Sequence, residues 1–258
     1  MEGILQDRKT MNNPYSLEGK TILVTGASSG IGRATAIECS KMGARVILTA
    51  RNEERLKETL FMLNGEGHSY VVCDLTDSNA IVDMVANLPE IHGLVNNAGF
   101  STTAPVPFIK EDKYLDLLRV NTIAPVMLLS LMVKKKIMKR GSSCVFVGSV
   151  SGLGKASVGN SMYASTKGAI NAFAMAAAKE LANKGIRVNS VCAGMVETNI
   201  TNNLSVSEEQ LEADKASFPL KRYGRPEEIA WAIIYLMSDA AAWVTGSDLV
   251  IDGGRMLK

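Results

Sequence analysis

The sequence predicts an α/β fold in which helices cover both faces of one mainly parallel, seven-stranded sheet. Short β-branched runs alternate with longer segments of helical period along the chain. Two of these runs, 22–24 and 145–147, are continuously apolar, as expected for strands that are buried on both faces. A glycine-rich turn joins the first run to the first helical segment. We therefore expect a doubly wound sheet in a three-layer αβα arrangement.

Seven strands and six helices follow from this alternation. The predicted strands are Thr21 to Thr25, Arg45 to Thr49, Tyr70 to Cys73, Gly93 to Asn96, Cys144 to Val147, Arg187 to Val191 and Leu249 to Ile251. The predicted helices are Ile31 to Met42, Glu53 to Leu63, Asn79 to Leu88, Lys113 to Lys139, Met162 to Asn183 and Pro226 to Ser238.

The rest of the chain is divided by the same pattern. No Pro-, Ser- or Gly-rich linker separates the predicted units, so we expect an N-terminal extension, 1–16, and a single catalytic domain, 17–258. The polar segment Glu197 to Gly224 has no clear strand or helix pattern. A segment of this length inside a compact domain is usually a functional lid or a disordered loop.

Composition narrows the class of protein. The 258 residues are 47% hydrophobic and carry a net charge of +2, which argues against nucleic acid or an anionic membrane as the main partner. The four cysteines form no C-x-x-C pair and are expected to be reduced thiols. The first twenty residues lack a signal-peptide core, and the longest apolar run, Ile123 to Val133, is shorter than the roughly 20 residues of a membrane span. We expect a cytoplasmic protein.

The glycine-rich turn has the spacing G-x-x-x-G-x-G and comprises Gly26, Ala27, Ser28, Ser29, Gly30, Ile31 and Gly32. Glycine lets the backbone approach a pyrophosphate, and unpaired N–H groups at a helix start attract its charge. As an isolated string, this spacing also fits a plain tight turn. Its place between a strand and a helix favours a dinucleotide site.

Together with two later motifs, this turn resembles the short-chain dehydrogenase/reductase family over about Leu17 to Gly254. The later motifs are Asn96-Asn97-Ala98-Gly99 and Tyr163-Ala164-Ser165-Thr166-Lys167. The resemblance implies a Rossmann-type sheet and a nicotinamide dinucleotide cofactor. It also implies cofactor contacts from Gly26, Ser28, Ser29, Gly30, Ile31, Gly32, Asn97, Ala98, Gly99, Tyr163 and Lys167.

Charge at the end of the second strand predicts which cofactor is used. NAD-binding sheets usually have an acidic residue there, whereas this chain has Ala50 followed by Arg51. A guanidinium forms charge-assisted bonds to the extra phosphate of NADP, so NADP(H) is favoured. Alternatively, Arg51 only begins a solvated helix whose Glu53 and Glu54 hold it. Ser29 stands where NADP-dependent members often carry a second basic residue.

Asp74 and Leu75 follow the third strand. The resemblance implies that Asp74 accepts a hydrogen bond from the adenine amino group, with Leu75 beside it. An aspartate that opens a turn is also an ordinary helix cap, and both roles are compatible.

Tyr163 and Lys167 are four residues apart on a predicted helix and therefore project from one face. A nearby ammonium favours the phenolate, so we expect the pKa of Tyr163 to be lowered from about 10 toward neutrality. The phenol would then donate a proton to a carbonyl oxygen, and the phenolate would accept one from an alcohol. Taken alone, such a pair is more often a surface pair.

The segment Val147 to Gly152 ends a predicted buried strand on the same side of the sheet, where the Ser149 hydroxyl could bind the substrate carbonyl. Ser149 matches the family serine because Gly152 follows it by three residues. Ser151 is the alternative, since the gap from Ser149 to Tyr163 is one residue longer than usual in the family.

Asn121 interrupts the apolar face of the long predicted helix, four residues before Pro125. Proline disrupts the backbone hydrogen bonding there. The resemblance makes Asn121 the anchor of a water chain to Lys167; the alternative is a kinked helix without a chemical role.

The loop after the sixth strand carries Val196 and Thr198, which in the family hold the nicotinamide carboxamide. Ala193 replaces the proline that the family usually has in this loop. The missing ring could make the loop less rigid.

The resemblance is greatest to 3-oxoacyl-[acyl-carrier-protein] reductases, in which basic residues at the positions of Arg140 and Lys184 dock the acidic carrier. Helix dipoles alone also explain these cations at helix ends. Sugar-alcohol, tropinone-like and hydroxysteroid dehydrogenases are the competing activities, and a dinucleotide-binding sensor is the alternative from another class. The family usually assembles as homotetramers.

Overall fold

The computed structural model describes residues 13–155, 157–198 and 207–257. Seven strands form one sheet in the order β3-β2-β1-β4-β5-β6-β7, and every neighbouring pair is parallel. The strands are β1 Thr21–Thr25, β2 Arg45–Ala50, β3 Ser69–Val72, β4 Gly93–Asn96, β5 Ser143–Ser149, β6 Arg187–Ala193 and β7 Asp248–Ile251. This order confirms the doubly wound Rossmann-type fold.

Eight α-helices are described along with the sheet. They are α1 Gly30–Lys41, α2 Glu53–Phe61, α3 Ser78–Ala86, α4 Glu111–Leu118, α5 Ala124–Lys134, α6 Ser161–Leu181, α7 Glu208–Ala216 and α8 Pro226–Met237. The two core clusters lie on opposite faces of the sheet. Leu23 of β1 belongs to the cluster that includes residues of α3, α5 and α6, whereas Val24 belongs to the cluster that includes α1 and α8. The alternation of strand side chains thus fills both layers.

The long helix predicted over Lys113 to Lys139 is wrong in two respects. It is divided by a π-helical turn, Arg119–Ile123, and its last α-helical residue is Lys134. The main-chain N–H of Ala124 donates to the carbonyl of Arg119, five residues back. Pro125 has no N–H to continue the ordinary ladder, and π-bulges commonly form where that ladder is interrupted.

The segment Glu197 to Gly224, in which no helix was predicted, contains one. Helix α7 occupies part of it and begins with a capping box between Ser207 and Gln210. The helix was missed because its sequence is polar and lacks an apolar stripe. Residues 199–206 of this segment lie outside the described residues.

One helical stretch, Glu111–Lys134, is long and apolar enough by length and composition to span a bilayer. Its apolar composition has another explanation in this fold. Leu128, Leu129 and Met132 are buried in the core beneath the sheet. A core helix passes the same test of length and hydropathy.

Candidate functional site

The glycine-rich turn lies at the carboxyl end of β1, against the end of β4. Gly26 and Gly30 have positive φ angles of 66° and 53°, which favour glycine. A Cβ at Gly26 would lie 2.8 Å from Asn97 Nδ2 and 2.9 Å from the Cα of Ala98. The Asn97 amide donates to the carbonyl of Thr25 at 2.9 Å. These contacts hold the two predicted cofactor motifs together.

The start of α1 is chemically suited to a pyrophosphate. Ser29 is the N-cap, yet its side chain makes no capping bond, and the first turn contains no acidic residue. By contrast, Asn52 caps α2 and Asp77 caps α3 with their side chains. The first turn of α1 therefore has N–H groups available for an anion, as a dinucleotide requires.

Arg51 follows β2 directly and is exposed. Within the described ranges it forms no ion pair, and Glu53 instead bonds Lys57 at 2.9 Å and the hydroxyl of Tyr70 at 2.9 Å. The guanidinium contributes to lowering the pKa of Asp74, although the main-chain N–H of Thr76 contributes more. An exposed cation next to Asp74, at the edge where the adenosine half would lie, fits a 2′-phosphate.

Asp74 is held in a turn rather than capping a helix. Its Oδ1 accepts from the main-chain N–H of Thr76 at 2.9 Å and from the Thr76 hydroxyl at 2.8 Å. The helix-cap alternative belongs to Asp77, which caps α3. The side chain of Leu75 is buried in the core, so any cofactor contact from Leu75 would come from its main chain.

The reacting groups meet where β5 ends and α6 begins. Ser149 is the last residue of β5, and Tyr163 lies in the first turn of α6. The Ser149 hydroxyl lies near the phenol of Tyr163 and acts to lower its pKa. Ser149 Oγ also accepts from the main-chain N–H of Ser151 at 3.2 Å. Ser151 Oγ accepts from Asn160 Nδ2 at 3.1 Å, so the alternative serine is engaged elsewhere.

Lys167 lies one turn along α6 and is only 5% exposed. Its Nζ donates to the carbonyl of Val147 at 2.7 Å and lies 5.8 Å from the centre of the Tyr163 ring. Burial lowers the pKa of Lys167 to about 8. The ammonium therefore remains the main form at neutral pH.

The expected lowering of the Tyr163 pKa is not found. Burial raises the pKa of Tyr163 above its ordinary value, and the Ser149 hydroxyl opposes this only in part. Desolvation disfavours the charged phenolate, and the ammonium lies beside the ring. The groups of the protein thus hold Tyr163 as a neutral phenol.

Asn121 lies inside the π-helical turn and is 2% exposed. Its Oδ1 accepts from the main-chain N–H of Phe100 at 3.1 Å, and its Nδ2 donates to the Phe100 carbonyl at 2.9 Å and to Thr166 Oγ1 at 3.2 Å. A Cβ at Gly99 would lie 3.0 Å from Asn121 Oδ1 and 3.6 Å from Lys167 Nζ. The missing side chain of Gly99 thus leaves both polar groups facing one small space.

The loop after β6 completes the site. Val196 is buried and forms a parallel bridge with Gly224. Thr198 Cγ2 lies 3.4 Å from the position of a Cβ at Gly30, so this loop reaches the glycine-rich turn. Ala193 is the last residue of β6 and pairs with both Ser149 and Ile251. The sheet ladder therefore continues to the residue where the family usually has proline.

Two residues at this edge were not singled out from the sequence. Thr166 accepts from Asn121 and donates to the carbonyl of Tyr163 at 2.7 Å. Arg33 donates to the carbonyl of Ser28 in the glycine-rich turn at 2.7 Å. The sequence offered a signal for each, since Thr166 lies within the motif from Tyr163 to Lys167 and Arg33 directly follows the glycine-rich turn.

Comparison with known proteins supports the same interpretation. Residues 26–255 match a family model described as enoyl-(acyl carrier protein) reductase. The chain is 36% identical to a 3-oxoacyl-[acyl-carrier-protein] reductase of Thermotoga maritima, covering 93% of this chain and 99% of the relative. It is also 36% identical to the reductase of the same name from Salmonella typhimurium, covering 94% and 99%.

Solved structures show the same fold bound to nucleotide. The Pseudomonas aeruginosa RhlG/NADP complex has a TM-score of 0.89 at 29% identity, covering 96% of this chain and all of that one. An NADP-bound protein from Beutenbergia cavernae, provisionally assigned as a gluconate 5-dehydrogenase, has a TM-score of 0.85 at 31% identity, covering 95% and 100%. With its motifs, sheet order and relatives in agreement, the chain belongs to the short-chain dehydrogenase/reductase family and is an oxidoreductase.

Proposed function

We propose that this enzyme uses NADPH to reduce the ketone of a 3-oxoacyl group carried by an acyl carrier protein, as in fatty acid synthesis. The observation that carries the proposal is the joint placement of Ser149, Tyr163 and Lys167, with Lys167 close to Gly99 of the motif that packs against the glycine-rich turn. The identity of 36% to 3-oxoacyl reductases favours this carbonyl substrate.

NADP(H) is the proposed cofactor, bound by residues 17–258 acting as one catalytic domain. The uncapped start of α1 would hold the pyrophosphate, and Arg51 the 2′-phosphate. Asn97, Ala98 and Gly99 would border the nicotinamide ribose, and Val196 and Thr198 the carboxamide. The NADP complexes of structural neighbours support this choice.

NADPH supplies the hydride when it is bound. The neutral phenol of Tyr163 donates its proton to the substrate carbonyl oxygen, and the Ser149 hydroxyl donates a hydrogen bond to the same oxygen. The Lys167 ammonium stabilises the phenolate that remains. A water in the space beside Gly99 would connect Asn121 with Lys167 and return the proton.

The surroundings of the site favour an apolar acyl group over a sugar. Phe100, whose main chain is bonded to Asn121, and Met195 after β6 are partly exposed, and Val158 in the loop before α6 is almost fully exposed. The competing activities are those of sugar-alcohol, tropinone-like and hydroxysteroid dehydrogenases. Structural neighbours assigned as gluconate dehydrogenases keep a polyol as the second candidate.

Arg140 and Lys184 are the proposed docking residues for the carrier protein. Both are exposed, and Arg140 Nη2 donates to the carbonyl of Asn183 at 3.3 Å. They lie before β5 and β6, at the opposite edge of the sheet from Ser149. Seven residues of β5 span about 23 Å at the usual rise of a parallel strand. If the carrier protein docks at Arg140 and Lys184, its acyl group must therefore extend over about this distance to reach Ser149 of the same chain.

A homotetramer in the cytoplasm is the proposed assembly and location. Ile123 and Met127 near the start of α5, and Met175 of α6, are exposed apolar residues on the two long helices. Their burial against other copies would stabilise an oligomer. Light scattering of the purified protein tests this assembly.

The activity test follows NADPH absorbance, which falls when acetoacetyl-carrier protein or a carrier-free acetoacetyl thioester is reduced and rises when gluconate is oxidised with NADP⁺. We expect turnover of both thioesters. Tyr163→Phe should reduce kcat by at least about a hundredfold, the usual size of an acid–base contribution. Ser149→Ala should lose activity, whereas the matched variant Ser151→Ala should keep most of it.

Three results would contradict the proposal. NADPH binding without turnover of any carbonyl would support the sensor instead. Oxidation of gluconate without thioester reduction would favour the polyol activity. Unchanged use of the carrier-bound substrate by an Arg140→Glu, Lys184→Glu double variant, compared with a Lys113→Glu control, would refute the docking residues.

A further inference from the structure

Arg33 joins the glycine-rich turn to a second helix. Besides its bond to the Ser28 carbonyl, its Nε donates to Thr59 Oγ1 at 3.0 Å, and its Nη2 lies 2.9 Å from Glu58 Oε2. Thr59 and Glu58 both belong to α2. One guanidinium therefore bridges α1, the turn and α2.

Thr59 makes a second link between the same elements. It is fully buried, and its single hydroxyl hydrogen lies within donor reach of two carbonyl oxygens, that of Ala27 at 3.0 Å and that of Arg55 at 2.9 Å. Two successive carbonyls of the turn thus lie within hydrogen-bond distance of these side chains: the carbonyl of Ala27 faces Thr59 of α2, and that of Ser28 accepts from Arg33. The conformation of the turn and the position of α2 depend on each other.

The other end of α2 lies next to Arg51. Asn52 caps the helix through the N–H of Arg55, and Arg51 immediately precedes this cap. From Thr59 to Asn52 the helix rises about 10 Å, so a tilt of about 5° at its anchored half would move its start by about 1 Å. A charge-assisted contact tolerates displacements of only about 0.5 Å without loss. The anchor is therefore well placed to control Arg51.

We propose that Arg33 and Thr59 are positioning residues that set the preference for NADPH over NADH, by fixing Arg51 relative to the pyrophosphate turn. The inference rests on the proposed role of Arg51 at the 2′-phosphate. Arg33 itself is engaged with the protein and is not required to contact the cofactor. Its effect reaches the cofactor through the position of α2.

The test measures dissociation constants of NADPH and NADH by calorimetry with the full chain. Thr59→Val keeps the shape of the side chain but removes its hydroxyl, and Arg33→Lys keeps the charge but loses the fork. For each variant we expect NADPH binding to weaken about tenfold more than NADH binding, because a disturbed pyrophosphate turn weakens both dinucleotides whereas only NADPH uses Arg51. Lys41→Met is the matched control, since Lys41 is an exposed cation on α1 paired with Glu38.

The Arg51→Ala variant separates failure of this inference from failure of the proposed cofactor site. If Arg51→Ala leaves the NADPH preference intact, the proposed role of Arg51 is wrong and the inference fails with it. If Arg51→Ala abolishes the preference but Thr59→Val and Arg33→Lys weaken both dinucleotides equally, only the inference is wrong. In an Arg51→Ala background, Thr59→Val should no longer change the ratio of the two constants, and a persisting change would overturn the coupling.

Discussion

The buried ammonium of Lys167 should reduce the stability of the folded protein. Burial depresses its pKa from the ordinary 10.5 to about 8, a difference that corresponds to roughly 3 kcal/mol. Replacing the lysine with Met removes the buried charge but leaves the Val147 carbonyl without its 2.7 Å partner, which costs about 1 kcal/mol. We expect Lys167→Met to raise the free energy of unfolding at pH 7 by about 2 kcal/mol while abolishing turnover.

The pH dependence of this gain follows from proton linkage. Below pH 8 the folded and unfolded chains both carry the proton, so the wild type bears the full penalty. Between pH 8 and 10.5 the unfolded chain binds more protons than the folded protein, and wild-type stability rises. The advantage of Lys167→Met should therefore be largest near pH 7 and fade as the pH approaches 10.5.

Urea unfolding at pH 7 and pH 10, followed by circular dichroism, measures the gain in free energy of unfolding and its dependence on pH. Lys179→Met is the control, because Lys179 is exposed on the same helix and its replacement should change stability by less than about 0.5 kcal/mol. A Lys167→Met protein that is less stable than the wild type at pH 7 would refute the reasoning. So would a gain in stability that is the same at both pH values.

Three further predictions concern other parts of the site. Gly32→Ala should weaken NADPH binding at least about tenfold, because its Cβ would overlap the carbonyl of Gly26 and the amide of Asn97; an unchanged dissociation constant would contradict this. Asn121→Leu should lower the free energy of unfolding by about 2–3 kcal/mol in urea titration, since both main-chain groups of Phe100 lose their partner; a loss below about 0.5 kcal/mol would show that they find others. All four cysteines are buried, so a thiol reagent should label the native protein slowly and the urea-unfolded protein at once, and rapid native labelling would argue against the packing.

The fold could be predicted from the sequence because parallel strands that are buried on both faces leave continuous apolar runs. β1 and β4 begin and end where that pattern predicts. The pattern fails at the end of β5, which continues through Gly148 and Ser149. Those residues have no strong strand preference, and they are held by the ladder to Cys192 and Ala193 of β6. Tertiary pairing, rather than local propensity, sets that boundary.

The motifs of the site could be located from the sequence. The hydrogen bonds that join elements far apart in the chain could not. The link from Arg33 to Thr59 joins residues 26 positions apart and leaves no local pattern. The pKa of Tyr163 was misjudged for a related reason. The four-residue spacing predicts that the ammonium of Lys167 lies near the phenol. It does not predict how far neighbouring elements exclude water from the phenol.

That misjudged pKa bears on the direction of the reaction. Burial raises the pKa of Tyr163 above 10 and lowers that of Lys167 to about 8, so at neutral pH the phenol keeps its proton and the amine is mostly charged. Tyr163 is therefore held as a proton donor, which is the form that reduction of a carbonyl needs. Oxidation of an alcohol needs the phenolate, whose formation the same burial opposes. The protonation state of these two side chains thus supplies at neutral pH the acid that carbonyl reduction requires, whereas alcohol oxidation would first require loss of the phenol proton.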